Sequence, residues 1–126
     1  MKINAIDHLV LTVKDIDSSV EFYQTVLGMR KETFGENRVA LCFARQKINL
    51  HEYGREFEPK AHTSKPGSQD LCFITDTPVI EAMQQVRDHG ISIIEGPVKR
   101  TGANGPIESF YFRDPDLNLI EVSNYL

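Results

Sequence analysis

No stretch of the chain approaches the ~20 consecutive apolar residues that a membrane-spanning helix requires, so no membrane partner is expected within these 126 residues. Cysteine is scarce. Cys42 and Cys72 are the only two, they show neither finger-type zinc spacing nor a C-x-x-C pair, and each lies in an apolar strand-like run, where a buried free thiol is the ordinary outcome. The opening, MKINAIDHLV, lacks the apolar stretch and small-residue cleavage site of a secretory leader, and a cytoplasmic location is the expectation. Positive charge is also in short supply: 14 Lys and Arg stand against 18 Asp and Glu, a net charge of -4. That balance leaves no electrostatic footprint for nucleic acid.

What is present is an ordinary globular mixture, 40% hydrophobic and 25% charged, with enough apolar material for a packed core. The length suits one compact domain or two small halves sharing a core.

The chain repeats itself in pattern. Residues 7–30 read DHLVLTVKDIDSSVEFYQTVLGMR and residues 69–92 read QDLCFITDTPVIEAMQQVRDHGIS. Each is an apolar strand, a polar turn and a helical segment closed by glycine, and Gly28 and Gly90 stand at the same offset as His8 and Asp70. In the first helix Ile16, Val20, Tyr23 and Leu27 fall on one face of a 3.6-residue period, with Asp17 as the expected N-cap and Gly28 as the terminator. In the second, Thr77 is the expected cap, Pro78 the first helical residue, and Ile80, Met83 and Val86 or Arg87 the inner face. Three short strand-like runs follow each helix, at about 29–34, 37–44 and 47–53, then at about 91–98, 107–113 and 117–123. The Asp114-Pro115-Asp116 cluster marks a turn.

These patterns predict an α+β fold: two βαβββ modules forming a curved mixed sheet with the helices outside. The whole chain, 1–126, is then one domain, with module one at 4–53, a linker at 54–68 and module two at 69–124. The linker, rich in Pro, Gly and charge, is long enough for modules to pair within a chain or between two chains; a homodimer is the expectation, with domain swapping open as its pairing mode.

Strand side chains alternate between faces. His8, Val10 and Thr12 share one face of the first strand, opposite Leu9, Leu11 and Val13, which suit packing under a helix. Asp70, Cys72 and Ile74 share a face of the fifth strand. Leu119, Glu121 and Ser123 share a face of the last, which makes Glu121 an ionisable group in an apolar strand, in need of a cation or a hydrogen-bond network. In KINLHEY, parity allows Asn49 or His51 as its partner. His8, Asp70, Glu121 and one of Asn49 and His51 thus converge as candidate ligands for a divalent ion, and the donor types suit Mn, Ni, Fe or Zn. Each has a bland alternative. His8 can be a structural histidine, Glu121 can pair with Arg113 or Arg45, Asp70 can be a loop residue, and His51 can face solvent. The segment 99–105, KRTGANG, reads as a glycine-rich loop whose Arg100 and Asn104, with Arg113 nearby, are candidate substrate contacts. A solvated connection is the alternative.

The opening IDHLVLTVKDIDSSVEFYQTVLGM and the ending ESFYFRDPDLNLIEVSNY resemble the vicinal-oxygen-chelate superfamily of glyoxalase I, methylmalonyl-CoA epimerase, extradiol dioxygenases, fosfomycin-resistance thiol transferases and bleomycin-binding proteins. With KINLHEYGREFEPKA and RTGANGPIES the chain is most similar to the glyoxalase domain-containing protein 5-like group. The resemblance implies a metal-dependent enzyme, of lyase, isomerase or thiol-transferase type, that chelates two neighbouring oxygens of a small substrate. A non-catalytic small-molecule-sequestering protein of the bleomycin-resistance type is the alternative it carries. It implies metal ligation by His8 and Glu121 and proton transfer by Glu121. Asp70 stands where the family usually has histidine or glutamine, and Asn49 or His51 where it has a fourth-strand carboxylate or amide. Leu117 replaces the usual glycine of DPDGN.

Overall fold

A computed structural model describes all residues, 1–126. The order is β1 (His8–Val13), α1 (Ile16–Leu27), β2 (Arg30–Phe34), β3 (Arg38–Phe43), β4 (Gln46–Glu52), β5 (Asp70–Ile74), α2 (Val79–Asp88), β6 (Glu95–Gly102), β7 (Gly105–Arg113) and β8 (Leu119–Tyr125). The chain divides into two compact units, Met1–Ser68 and Gln69–Leu126. Each holds one four-stranded mixed sheet, ordered β1-β4-β3-β2 in the first and β5-β8-β7-β6 in the second. In both, the first and last strands of the module pair in parallel and the remaining ladders are antiparallel. No helix is long and apolar enough to cross a membrane.

In the first unit, register places Leu9, Leu11, Ile48, Leu50, Val39 and Leu41 on one face. Leu11, Leu41, Ile48 and Leu50 are buried there with Val20 and Tyr23 of α1. Each such side chain contributes about 1.5–3 kcal/mol by leaving water. The helix is capped by Asp15 rather than Asp17: its carboxylate accepts from the Ser18 backbone N–H at 3.1 Å. Asp15 has extended backbone angles, which an N-cap needs, whereas Asp17 is already inside the first turn. Gly28 ends the helix with φ 64°, in the left-handed region that costs a glycine nothing.

In the second unit Phe110, Phe112, Ile120 and Val122 form the helix-side face, with Val79, Ala82, Met83 and Val86 of α2 buried against it. Ile80, expected on the inner face, is 65% exposed. The helix starts one residue later than expected, at Val79, so its buried stripe runs 79-82-83-86. Neither Thr77 nor Pro78 supplies a side-chain cap. Asn124, from β8, does: its Oδ1 accepts from the Val79 N–H at 2.8 Å, and its Nδ2 donates to the carbonyls of Thr75 (2.7 Å) and Thr77 (2.9 Å).

The segment expected to be a loop at 99–105 is mostly strand. Lys99 to Gly102 belong to β6 and pair with β7, leaving only Ala103 and Asn104 between Gly102 and Gly105 as a two-residue hairpin. Gly-rich composition here marks a tight hairpin, not a flexible connection. Before it, a register shift between Glu95 and Val98 depends on Gly96, where a Cβ would lie 2.5 Å from that of Phe110.

Candidate functional site

Each sheet has one face away from its helix, and the chemistry-bearing residues collect there. In the second unit Cys72 pairs with Glu121, Glu121 with Tyr111, and Ser123 with Ile74 and Ser109. A cavity of about 380 Å³ opens on this face, lined by Cys72, Ile74, Arg100, Tyr111, Glu121 and Tyr125 among others.

Glu121 has no cationic partner. Its carboxylate accepts a hydrogen bond from the Ser123 hydroxyl at 3.5 Å and one from Tyr111, whose phenol burial and Glu121 together push above its ordinary pKa. Arg100 reaches it only indirectly: its Nε donates to the Tyr111 hydroxyl at 3.1 Å while Nη2 holds Glu95 at 3.1 Å. Ser123 lies 2.7 Å from Ser109 Oγ and 3.4 Å from Cys72 Sγ. Cys72 is exposed rather than buried, because strand parity turns it onto the cavity face. Partial desolvation of its sulfur, then the charge of Glu121, raises its pKa, with Ser123 opposing.

Of the other expected residues in this unit, Asp70 is exposed at the start of β5, opposite Leu119. Arg100 lines the cavity. Asn104 sits in the exposed hairpin, its backbone N–H bonded to the Tyr125 hydroxyl at 3.2 Å. Arg113 donates to the Leu117 carbonyl at 3.3 Å. Neither of these two lines the cavity. Glu121 pairs with no arginine: the only ion pairs formed by arginines join Arg55 to Glu52 and Arg100 to Glu95.

In the first unit His8 stands at the start of β1 with its side chain 44% exposed, and Asp7 Oδ2 holds its Nδ1 at 2.7 Å. That contact leaves Nε2 free. Asn49 and His51 face the same way on β4, opposite Val10 and Thr12 respectively. Asn49 is the ladder equivalent of Glu121: each is the partner, on the last strand of its module, of the third residue of the first strand. His51 corresponds to Ser123. Far from facing solvent, His51 is 3% exposed, and Asn49 is 5% exposed. Asn49 Oδ1 and His51 Nε2 are buried with no hydrogen-bond partner. The Phe57 ring, from the segment expected to be a bare linker, stands edge-on to the His51 imidazole with centroids 5.4 Å apart. Burial first, then Arg38, holds the imidazole pKa below its usual value, opposed by Glu56. Within this single chain no three His, Cys, Asp or Glu side chains gather into a metal-binding group.

The sequence singled out none of Tyr111, Ser123, Cys72, Arg38 and Phe57 as site residues, although alternation had set Cys72 on the face of Asp70 and Ser123 on that of Glu121. The first three were within reach of parity: once the turn at Asp114 fixes Arg113 opposite Leu119, Tyr111 must face Glu121. Phe57 and Arg38 carried no periodic signal.

Comparison with known proteins agrees with this architecture. Residues 5–122 match the Glyoxalase/Bleomycin resistance protein/Dioxygenase superfamily. Virulence protein STM3117 of Salmonella typhimurium is 58% identical over all of this chain and 88% of its own length. Glyoxalase domain-containing protein RDO1 of Mycosarcoma maydis is 54% identical over 99% of this chain and 70% of its own. The structure of an integron cassette protein from the mobile metagenome of V. cholerae superposes with a TM-score of 0.98 at 63% identity, covering 100% of this chain and 98% of that one. The fosfomycin resistance protein FosX of Listeria monocytogenes, solved with Mn(II) and sulfate, shares the fold at 19% identity and a TM-score of 0.70, over 99% of this chain and 93% of that one. With two βαβββ units matched nearly end to end, the chain belongs to the glyoxalase/bleomycin resistance protein/dioxygenase superfamily.

Proposed function

We propose that this chain is a divalent-metal-dependent enzyme acting on a small oxygenated or thiol-conjugated molecule, with His8, Asp70 and Glu121 as ligands. The observation that carries the reading is the Asp7–His8 pair. A carboxylate on Nδ1 fixes the imidazole tautomer and leaves the Nε2 lone pair outward, the arrangement that raises the basicity of metal-ligating histidines. The donor set fits: a prepared imidazole, an exposed Asp70, and a Glu121 carboxylate without a cationic partner. For a fourth donor from β4 the register favours Asn49, with its orphaned Oδ1, over His51. The Mn(II) bound by FosX gives the fold a precedent.

A bound divalent ion would hold two neighbouring substrate oxygens and stabilise the negative charge that develops on them. The chain's own groups would do the rest. Glu121, poised by Tyr111 and Ser123, would move a proton. Arg100 is the cavity's cation and would meet an anionic substituent; Asn104 and Arg113, outside the lining, carry no role in this reading. The proposal includes a homodimer, since the segment 54–68 between the units is long enough for units of two chains to pair. The half-exposed apolar side chains Val10 and Ile74, on the faces away from the helices, suit such coverage. A cytoplasmic setting suits the two free thiols.

Metal content of protein purified without chelator, and thermal shifts with Mn²⁺, Ni²⁺, Fe²⁺ and Zn²⁺, test the reading. A ligand at about 100 times its Kd adds about 2.7 kcal/mol of stability. His8→Ala and Glu121→Ala should each abolish that shift. Full metal affinity in both variants would discard the ligand set, and absence of any metal binding would transfer the chain to the small-molecule-sequestering class. Turnover of a hemithioacetal, fosfomycin and a catechol by metal-loaded protein would then separate the reaction types.

A further inference from the structure

We propose that the first unit carries an oxyanion site of its own, formed by Arg38 and His51 between Phe34 and Phe57, which takes the carboxylate or phosphonate of a small organic molecule. This inference does not rest on the metal reading.

Arg38 is the centre of the site. Its guanidinium carbon lies 5.1 Å from the Phe34 ring centroid and 4.8 Å from that of Phe57. Two rings lie against this cation, and its N–H groups still need acceptors. No carboxylate supplies them, since Arg38 takes part in none of the chain's ion pairs. The acidic group close enough to influence His51, Glu56, is already engaged: it accepts from the Gly54 N–H at 2.9 and 3.1 Å and faces Lys60 at 3.8 Å. A second cation, Lys47, sits 4.0 Å from the Phe34 centroid and is likewise without an ion pair.

His51 stands beside Arg38. Val39 pairs with Leu50, which sets Arg38 beside His51 across the ladder. The imidazole is 3% exposed and its Nε2 has no hydrogen-bond partner. A buried polar nitrogen left unpaired costs about 1–3 kcal/mol, and a bound group that bonds to it removes that cost.

The second unit supplies the control. At the equivalent ladder positions it has Ser109 and Ser123, and these satisfy each other at 2.7 Å. The first unit replaces a self-satisfied pair with a cation and an imidazole that do not bond to each other. Positive charge around His51 disfavours a metal ion and favours an anion. The planar fork of arginine selects a carboxylate or phosphonate, and the two phenyl rings favour an organic group attached to it.

The test uses the full chain treated with chelator, so that a failure of the metal reading leaves it untouched. The four histidines are followed by NMR, with the His51 signals assigned by their loss in His51→Gln. Methylphosphonate and acetate should each shift the His51 signals saturably, while acetamide, the neutral analogue, should not. Arg38→Gln should weaken methylphosphonate binding by about tenfold or more, the usual worth of a charge-assisted bond, and Arg38→Lys should recover only part of it. Both variants lie on a partly exposed strand position, and a thermal melt confirms that they fold. Absence of saturable shifts at His51, an acetamide response equal to that of acetate, or unchanged affinity in Arg38→Gln would each overturn the proposal.

Discussion

Asn124 joins the last strand of its unit to the start of α2, and its removal has a calculable cost. It makes three hydrogen bonds, one accepted from the Val79 N–H and two donated to the Thr75 and Thr77 carbonyls, all between 2.7 and 2.9 Å. Each such bond contributes about 1 kcal/mol net, and Asn124→Ala leaves three part-buried backbone groups unpaired, so the variant should lose about 3 kcal/mol. Urea unfolding monitored by circular dichroism should show a midpoint lower by on the order of 1–2 M with an unchanged slope. Asn124→Asp separates the bonds. It keeps the acceptor for Val79 but turns two donated bonds into an oxygen facing two carbonyl oxygens. The introduced carboxyl therefore prefers its protonated, donating form in the folded state, and its pKa rises above the unfolded value of about 3.9. A raised folded pKa means that the stabilising contribution is complete below the unfolded value and is lost as pH climbs through the folded one. The aspartate variant should thus be closer to wild type at pH 4 than at pH 7. A loss below about 1 kcal/mol in Asn124→Ala, within the range of an ordinary surface substitution, or an aspartate variant indifferent to pH, would refute the assignment of Asn124 as the anchor of α2.

Two further outcomes follow from local geometry. Leu117 has φ 70° and is 67% exposed, so Leu117→Gly relieves a left-handed backbone cost of about 1–2 kcal/mol against about 0.5–1 kcal/mol of added chain entropy; unfolding free energy should rise by up to about 1.5 kcal/mol, and a clear loss would contradict the strain. Cys72, with its pKa raised by burial and then by Glu121, should react with iodoacetamide at neutral pH more slowly than a free thiol does, because the thiolate is the nucleophile; Glu121→Gln should speed the reaction, and an unchanged rate would remove Glu121 as a cause.

The duplicated order of strands and helices was legible because it rests on period. The alternation in HLVLTV and DLCFI, the stripe through Val20 and Tyr23, and glycine at the end of each helical pattern are local signals that tertiary packing had no reason to override. The positions that shifted were those where a distant residue decides. Asn124 caps α2 from β8, so no inspection of Thr77 and Pro78 reveals it. Ile80 rotates outward because the helix begins at Val79. Segment 99–105 looked like a loop because its glycines are counted before its pairing is known; a two-residue hairpin needs them at the corners. Within the site, parity placed His8, Asn49, His51, Asp70 and Glu121 on the faces where the ladders put them. Parity says nothing of burial, however, and a solvent-facing His51 stood as the alternative to its candidacy as a ligand because Phe57, which packs against it, belongs to a segment without period.

Equivalent ladder positions in the two units show how one backbone plan carries two chemistries. Asn49 stands for Glu121, and His51 with Arg38 stands for Ser123 with Ser109. In the second unit the substitutions give a carboxylate poised by a phenol and a hydroxyl, with a cation held one residue away behind Tyr111. In the first they give an amide, an imidazole and an unpaired guanidinium. Neither set is explained by the helix-side packing, which is built mainly from aliphatic and aromatic side chains, with Asn124 the polar link to α2. A core tolerates exchange among residues of similar volume, but buried polar atoms without partners persist only at a cost. The first unit leaves three such atoms, Ser19 Oγ on α1 and, on one face of β4, Asn49 Oδ1 and His51 Nε2. The second leaves none, having closed its network internally. The asymmetry therefore assigns the demand for an outside partner to β4, and it is there, rather than around Glu121, that a change of ligand specificity among variants of this chain should be sought first.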